Sequence, residues 1–212
     1  HLPLVLRGWP PPPPPGKLLI SEVMYNPAGD EPDGEWIELY NAGGMVLELE
    51  EYKLGDEETL GDREGMYQFP VGSVLAPGAV VVIAYQATTF TSLYGLAPDF
   101  ELRESDPNVP NLAKYTAWSG GNIELSNSGD EVLAIDGNNE LLDAVSWGSS
   151  NFAFSPAAPG GADGHSIQRS PATNDTNSAQ DWVDAGLPQP GQVSLPTPTP
   201  TPTPTETATP TS

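Results

Sequence analysis

The sequence predicts an all-β protein, an antiparallel sandwich or barrel, and three observations support this. Short apolar or alternating runs recur along the chain, and clusters of Gly, Pro, Asn and Asp separate them. Only one segment, Thr88–Gly95, has apolar residues at the three- and four-residue spacing of a helix, so little of the chain is expected to be helical. The chain has no cysteine, so it has no disulfide framework. The core is therefore expected to form where sheets pack on each other.

The predicted strands share an apolar or alternating pattern and are bounded by turn residues. In chain order they are Leu18–Tyr25, Glu35–Asn41, Met45–Glu50, Tyr67–Phe69, Ala79–Ala84, Ile123–Ser126, Glu131–Asp136, Leu141–Trp147, Ser166–Arg169 and Asp181–Val183. Ala79–Ala84 is continuously apolar, which predicts a central strand buried on both faces. Trp36 and Trp147 lie within strand patterns and are expected in the core.

One helix and one long loop complete the predicted body of the chain. Gly95 follows the helical spacing and is expected to cap the helix. The stretch Pro98–Gly121 contains Pro, Asn and Asp and has little periodicity, so we interpret it as a long loop. Trp118 is expected to anchor the return of this loop.

The N-terminal segment, residues 1–9, is predicted to be a short apolar strand. Its apolar residues alternate in part and are Leu2, Leu4, Val5, Leu6 and Trp9. Residues 10–16 form a polyproline linker, whose six prolines make a stiff spacer of about 19 Å. An apolar strand held away from its own domain can add to the sheet edge of a neighbour, and repetition would give a filament. The alternatives are a strand that folds back on its own sheet, or a remnant of a signal peptide.

The C-terminal segment, residues 194–212, is a Thr/Pro-rich stalk or linker. Thr-Pro repeats stay extended and cannot pack a core. Such a stalk is typically O-glycosylated, and the candidate sites are Thr197, Thr199, Thr201, Thr203 and Thr205; a bare linker is the alternative. Asn174 begins an N-x-S/T sequon in a polar loop and is a further glycosylation candidate. The chain begins with His rather than Met, which a cleaved signal peptide would explain, so we expect a secreted or cell-surface protein.

The charge of the chain excludes several classes of partner. There are 29 acidic residues against 7 basic ones, the formal net charge is -22, and the basic residues are scattered singly. Binding to nucleic acid needs clustered Lys and Arg, so neither DNA nor RNA is an expected partner. No apolar stretch is long enough to span a bilayer, so we expect no membrane insertion.

Two acidic loops are candidate calcium sites, because calcium takes oxygen ligands. The first lies between the first two strands and contributes Asp30, Glu31, Asp33 and Glu35. The second contains Asp56, Glu57, Glu58, Asp62 and Glu64. The first does not match the spacing of the helix–loop–helix calcium loop, and for both groups solvated loops that maintain solubility are the alternative. Apart from calcium, no cofactor is expected.

Catalytic chemistry has little support in the sequence. The chain has two histidines, which offers few candidates for a catalytic triad or a metal site, and no G-x-S-x-G elbow is present. His165 and Ser166 are adjacent, beside Asp163, and adjacent side chains do not readily adopt triad geometry. Carboxylate pairs of a glycosidase cannot be singled out among so many acidic residues. The sequence therefore predicts a protein that is not an enzyme.

The chain resembles the lamin tail domain in its bacterial, secreted form, over about Leu18 to Gly191. The segments that carry the resemblance, in the family's order, are LLISEVMYNP, DGEWIELYNAG, YKLGDEE, FPVGSVLAPGAVVVIA, LSNSGDEVLAID, DAVSWG, HSIQRSPATNDTNSAQDW and Pro190-Gly191. The resemblance implies an immunoglobulin-like antiparallel β-sandwich, here at residues 17–193, that serves binding and has no activity of its own. The expected architecture is this sandwich with an extended polyproline N-terminal arm and a Thr-Pro C-terminal tail. The insertion from Pro98 to Gly121 departs from the simplest members, and the family supplies no universal ligand.

These observations predict a non-catalytic extracellular structural or interaction protein. The main hypothesis is a subunit of a surface filament or layer, a homopolymer assembled by N-terminal strand donation. The alternative is a monomeric module that tethers a larger secreted protein to a surface glycan or another surface protein, or that accompanies an extracellular nuclease or phosphatase. Tyr25, Tyr85, Tyr115 and Trp118 are weak candidates for a carbohydrate-stacking face, with anchoring of the core or loops as the favoured alternative.

Overall fold

The computed structural model describes residues 16–61 and 63–196. The predicted N-terminal strand, nearly all of the polyproline linker, Asp62 and the Thr-Pro tail from residue 197 lie outside the described residues. Two sets of predicted site residues therefore lie outside them as well, and these are Leu2, Leu4, Val5, Leu6 and Trp9 at one end and Thr197, Thr199, Thr201, Thr203 and Thr205 at the other.

The described residues form thirteen strands, one α-helix and two short 3₁₀ helices. The strands are β1 (Leu18–Met24), β2 (Trp36–Asn41), β3 (Leu47–Glu48), β4 (Lys53–Gly55), β5 (Met66–Gln68), β6 (Val74–Leu75), β7 (Val80–Ala84), β8 (Phe100–Glu101), β9 (Ala113–Lys114), β10 (Gly129–Ile135), β11 (Leu141–Gly148), β12 (Ser166–Arg169) and β13 (Trp182–Gly186). The helix α1 spans Ala87–Tyr94, and the 3₁₀ helices span Leu49–Glu51 and Ala179–Asp181. None of the helices in this part of the chain has the length and apolar character that a membrane crossing requires.

Two main sheets form the two layers of a sandwich. The six-stranded sheet has the order β13-β12-β1-β2-β7-β8, and the five-stranded sheet has the order β11-β10-β4-β5-β9. A two-stranded ribbon, β3-β6, completes the described strands. The strand pairs are antiparallel except for β7 with β8. The prediction of an all-β, immunoglobulin-like sandwich is confirmed.

The main core fills the space between the sheets. Ile37 and Ile83 of the six-stranded sheet and Val132 and Val145 of the five-stranded sheet belong to one cluster of buried side chains. Trp147 is fully buried in it and stacks on Tyr25 with ring centroids 4.5 Å apart. The expected core role of Trp147 is therefore confirmed, and this stack joins one end of β1 to the end of β11.

A second, smaller core explains why β7 is apolar on both faces. Val81 and Ile83 face the space between the sheets, whereas Val82 and Ala84 pack with Trp36 on the side of the sheet that α1 covers. The strand lies between β2 and β8, as its continuous apolar run predicts.

The predicted helix is confirmed, and the predicted long loop is only partly irregular. Gly95 caps α1 in the left-handed region, with φ of 72°. The Pro98–Gly121 stretch contains the two edge strands β8 and β9. Trp118 anchors its return as expected, because its indole N–H donates to the carbonyl oxygen of Glu57 at 3.0 Å.

One predicted strand is wrong, and another is shorter than predicted. Ile123–Ser126 is not a strand. The backbone N–H of Glu124 donates to Asp56 and that of Leu125 donates to Glu35, so carboxylates accept hydrogen bonds that a neighbouring strand would otherwise accept. The Met45–Glu50 prediction shortens to β3, because the chain turns into a 3₁₀ helix at Leu49.

Candidate binding surfaces

The first acidic loop does not assemble into one cluster. Glu31 accepts a hydrogen bond from the side-chain amide of Asn127 at 2.8 Å, and Asp33 accepts one from Gln86 at 2.5 Å. Glu35 is 4% exposed and accepts the backbone N–H of Leu125 at 3.0 Å. The structure therefore directs Glu31, Asp33 and Glu35 to different partners, and the calcium prediction for these residues and Asp30 gains no support from the geometry.

The carboxyl of Glu35 has a strongly raised pKa. Burial raises this pKa to about 9, and the negative charges of Glu31 and Asp56 act in the same direction. Glu35 is therefore a buried carboxyl that binds the backbone of Leu125 and is not presented at the surface with the rest of the acidic loop.

The second acidic group does contribute to a convergent cluster. Oxygen atoms of Glu58, Glu64 and Glu131 lie within 4.8 Å of one another. Among the described residues, this is the arrangement that could hold a divalent cation. Calcium needs six to eight oxygen ligands, so further ones would have to come from water or the backbone.

Burial, together with neighbouring negative charges, raises the pKa values of two carboxyls in this cluster. Burial raises the pKa of Glu64 to about 8, helped by the charges of Asp56 and Asp130. Burial raises the pKa of Glu131 to about 7, and Glu58 contributes to that rise. The acidic loop predicted from the sequence contains Glu58 and Glu64 but not Glu131. Glu131 lies on β10, and no local sequence pattern relates it to that loop. Calcium binding stays a prediction.

The His165 neighbourhood does not form a triad in the described structure. His165 Nδ1 lies 2.9 Å from an oxygen of Asp184 at the surface. Ser166 is buried instead and donates its hydroxyl to Glu22. The side chains of His165 and Ser166 therefore bind different partners on opposite faces of the sheet, as the alternation of side chains along a strand requires.

Asn174 is half-buried and its side chain is already engaged. Its side-chain amide nitrogen donates to Asp181 at 2.6 Å, and its backbone carbonyl oxygen accepts a hydrogen bond from Arg169. A glycan on that nitrogen would take one of its two hydrogens and compete with the bond to Asp181. N-glycosylation of Asn174 stays a prediction.

The four aromatic candidates for a stacking face lie in separate environments. Tyr25 is 2% exposed beneath the Trp147 stack. Tyr115 and Trp118 both pack on a small cluster at the five-stranded sheet, and Lys53 lies 4.8 Å above the Tyr115 ring. Tyr85 lines a cleft elsewhere. They anchor core and loops and do not share one face.

The outer edge of the six-stranded sheet is a candidate assembly surface. β13 pairs with β12 on one side, and no described strand pairs with its other side. An edge strand presents unpaired backbone groups that another strand can use. Val183 in β13 is 40% exposed and Leu187 just beyond it is 80% exposed, so apolar surface lines this edge.

The fold and these surfaces define a β-sandwich of the binding or structural type. The profile of the Lamin Tail Domain family matches residues 11–149, more than half of the chain. The chain belongs to the lamin tail domain family, and the resemblance seen in the sequence is confirmed.

A solved structure with the same fold is a DUF4876 family protein from Bacteroides thetaiotaomicron. The TM-score is 0.60 at 16% sequence identity, and the alignment covers 85% of this chain and 74% of that one. At this identity the likeness concerns the fold alone. No curated protein matches the chain.

Proposed function

We propose that this protein is a non-catalytic extracellular structural module that assembles with copies of itself. The N-terminal segment of one copy adds as a strand to the outer edge of β13 in the next copy. The observation that carries the proposal is the open, apolar-lined edge of β13, together with a separate apolar segment tethered through six prolines.

The register of the sheet separates the root of the N-terminal arm from the proposed acceptor edge. β1 and β13 both pair antiparallel with β12, so they run in the same direction. Val23 and Asp184 are both level with Ile167, whereas the N-terminal arm joins the sheet just before Leu18. Leu18 and Asp184 are thus about 17 Å apart along the strand direction, so donor and acceptor are two different surfaces of the sandwich. Contacts between two different surfaces propagate into open filaments unless the rotation closes a ring.

The test uses the full chain and two matched triple variants. Light scattering and negative-stain electron microscopy would compare the wild type with L2D/L4D/L6D and with T199D/T201D/T203D, which adds the same charge at the other end. We expect the wild type and the threonine variant to assemble and the leucine variant to remain monomeric. A monomeric wild type, or assembly that survives the leucine substitutions, would refute strand donation and favour a tethered binding module.

The acceptor edge and the location have their own tests. Val183→Asp places a charge on the sheet face beside the outer edge, where side chains of an added strand would pack, so we expect it to weaken assembly while the melting temperature stays near that of the wild type. If the arm is required but Val183→Asp assembles normally, the acceptor lies elsewhere. Antibody labelling of intact cells of the source organism tests the extracellular location; labelling only after lysis would contradict it.

A further inference from the structure

A polar cleft opens between the edges of the two sheets. It encloses about 470 Å³ and is lined by residues of β5 and β9 and by residues that follow β7 and β8. The side chains that matter here are Tyr67, Tyr85, Arg103, Lys114, Asn122 and Glu124. A volume of this size is typical of small-molecule sites in proteins.

Two tyrosines form the inner wall of the cleft. Tyr67 is 4% exposed and Tyr85 is 7% exposed, so their rings are fixed by packing. Burial raises the pKa of Tyr67 to about 12, and it raises the pKa of Tyr85 in the same direction. Both hydroxyl groups therefore stay neutral and can donate as well as accept hydrogen bonds.

The rim of the cleft is a chain of exposed polar groups. Lys114 Nζ donates to the side-chain oxygen of Asn122 at 2.7 Å, and the Asn122 amide donates to Glu124 at 3.4 Å. The Tyr67 hydroxyl lies 3.5 Å from the same Asn122 oxygen. Donors and acceptors thus alternate around the cleft within hydrogen-bonding reach of a ligand.

The charges of the cleft nearly cancel. Arg103 is 64% exposed and lies 3.8 Å from Asp33, and Lys114 is balanced by Glu124 at the other side. The chain as a whole carries a net charge of -22, which repels polyanions at long range. A balanced cleft on an acidic protein favours an uncharged ligand over a phosphate or a polyuronate.

We propose that this cleft binds a neutral saccharide. Vicinal hydroxyl groups of a sugar both donate and accept, so they match the alternating amide, ammonium, carboxylate and phenol groups of the rim and wall. Leu102, which also lines the cleft, gives the carbon-bound hydrogens of the sugar an apolar contact. This inference is independent of the proposed assembly, because it uses the opposite edge of the six-stranded sheet from β13.

The test titrates the full chain with four neutral oligosaccharides, cellotetraose, xylotetraose, mannotetraose and maltotetraose, and with tetragalacturonate as the charged probe. Backbone amide NMR shifts would report binding and its location. We expect at least one neutral probe to bind and to shift amides around Asn122 and Tyr85. No binding by any neutral probe, or binding of the galacturonate alone, would overturn the proposal.

Matched variants locate the site. Asn122→Ala and Lys114→Ala should each weaken binding about tenfold, because each removes groups on the rim. Lys17→Ala is the control: Lys17 pairs with Asp175 at 2.9 Å and does not line the cleft. Equal affinity in all three variants would overturn the assignment to this cleft.

Discussion

Arg169 and Asp143 form a buried ion pair that links the two sheets of the sandwich. Two hydrogen bonds of 2.9 and 2.6 Å join the Arg169 guanidinium, on β12, to the Asp143 carboxylate, on β11. Both side chains also hold the backbone of Ile20 in β1, which donates to Asp143 at 2.7 Å and accepts from Arg169 at 2.9 Å. The side chains are 1% and 2% exposed, so neither charge has access to bulk water.

Removing one partner of this pair should destabilise the protein strongly. Arg169→Met leaves the Asp143 carboxylate buried without its counter-charge, which typically costs about 3–5 kcal/mol. Urea denaturation would measure the loss. Lys17→Met is the matched control, since Lys17 is 33% exposed in its pair with Asp175 and should cost less than about 1 kcal/mol. Similar losses in the two variants would show that the sheets do not depend on this link.

Stability should be highest in mildly acidic solution and should fall as the pH rises toward 9. Burial raises the pKa of Glu38 to about 8 and raises that of Glu22 beside it, and it acts in the same direction on Glu35 and Glu64. Between the unfolded pKa of 4.5 and the folded value, the native state binds more protons than the unfolded chain. The stabilisation is complete below pH 4.5 and is lost as the pH rises through 8. Thermal unfolding should show a melting temperature lower by roughly 5 °C at pH 9 than at pH 5.

Glu38→Gln tests how much of this pH dependence comes from Glu38. Its carboxyl accepts Ser21 and the backbone N–H of Gly191, both at 2.7 Å, and a neutral amide can replace it with its nitrogen toward the serine hydroxyl. We expect the variant to be more stable than the wild type at pH 9 and to show a flatter pH profile. Glu104→Gln, at an exposed position, should leave the profile unchanged. A profile in Glu38→Gln that matches the wild type would assign the dependence to other carboxyls.

Gly129 should tolerate no side chain. It has φ of +150° at the start of β10, and an added Cβ would overlap the backbone nitrogen of Ser149. Gly129→Ala should therefore cost about 3 kcal/mol or prevent folding, because backbone strain and overlap add. Gly72→Ala is the control, with φ of +82° and open space around the Cβ, and should cost only about 1 kcal/mol. Equal melting temperatures for the two variants would contradict this prediction.

The loop before β13 should depend on Asp181. This buried carboxylate accepts the side-chain amide of Asn174 at 2.6 Å and the backbone N–H of Thr176 at 2.7 Å. Asp181→Ala leaves these donors unsatisfied, so we expect a loss of about 2 kcal/mol and faster hydrogen exchange between residues 171 and 181. Asp163→Ala, at an exposed position, should change neither quantity. Unchanged exchange in Asp181→Ala would mean that the loop is held by other contacts.

The long strands could be predicted from local pattern because their own residues supply the burial. β1, β2, β7, β10 and β11 are runs in which apolar side chains face the core between the sheets or the α1 cluster. The strands that the sequence analysis missed, such as β4, β8 and β9, have two or three residues each, and their pairing partners hold them in place. Ile123–Ser126 has a strand pattern, but the carboxylates of Asp56 and Glu35 bind its backbone instead.

Site prediction failed where distant residues had to meet. The sequence grouped Asp30, Glu31, Asp33 and Glu35 because they are neighbours along the chain, and the fold sends Glu31, Asp33 and Glu35 to different partners. Glu131 joins Glu58 and Glu64 only because β10 brings it there.

By itself, the amino-acid sequence determined the all-β class, the family, the acidic surface, the helix and the core tryptophans, since period, turn residues and charge are local properties. Tertiary structure decided which carboxyl groups are buried, which of the described strands lie at the sheet edges, and which polar groups surround the cleft. These features depend on residues up to 167 positions apart, such as Glu22 and Gln189, and on the dielectric environment that packing creates around each charge.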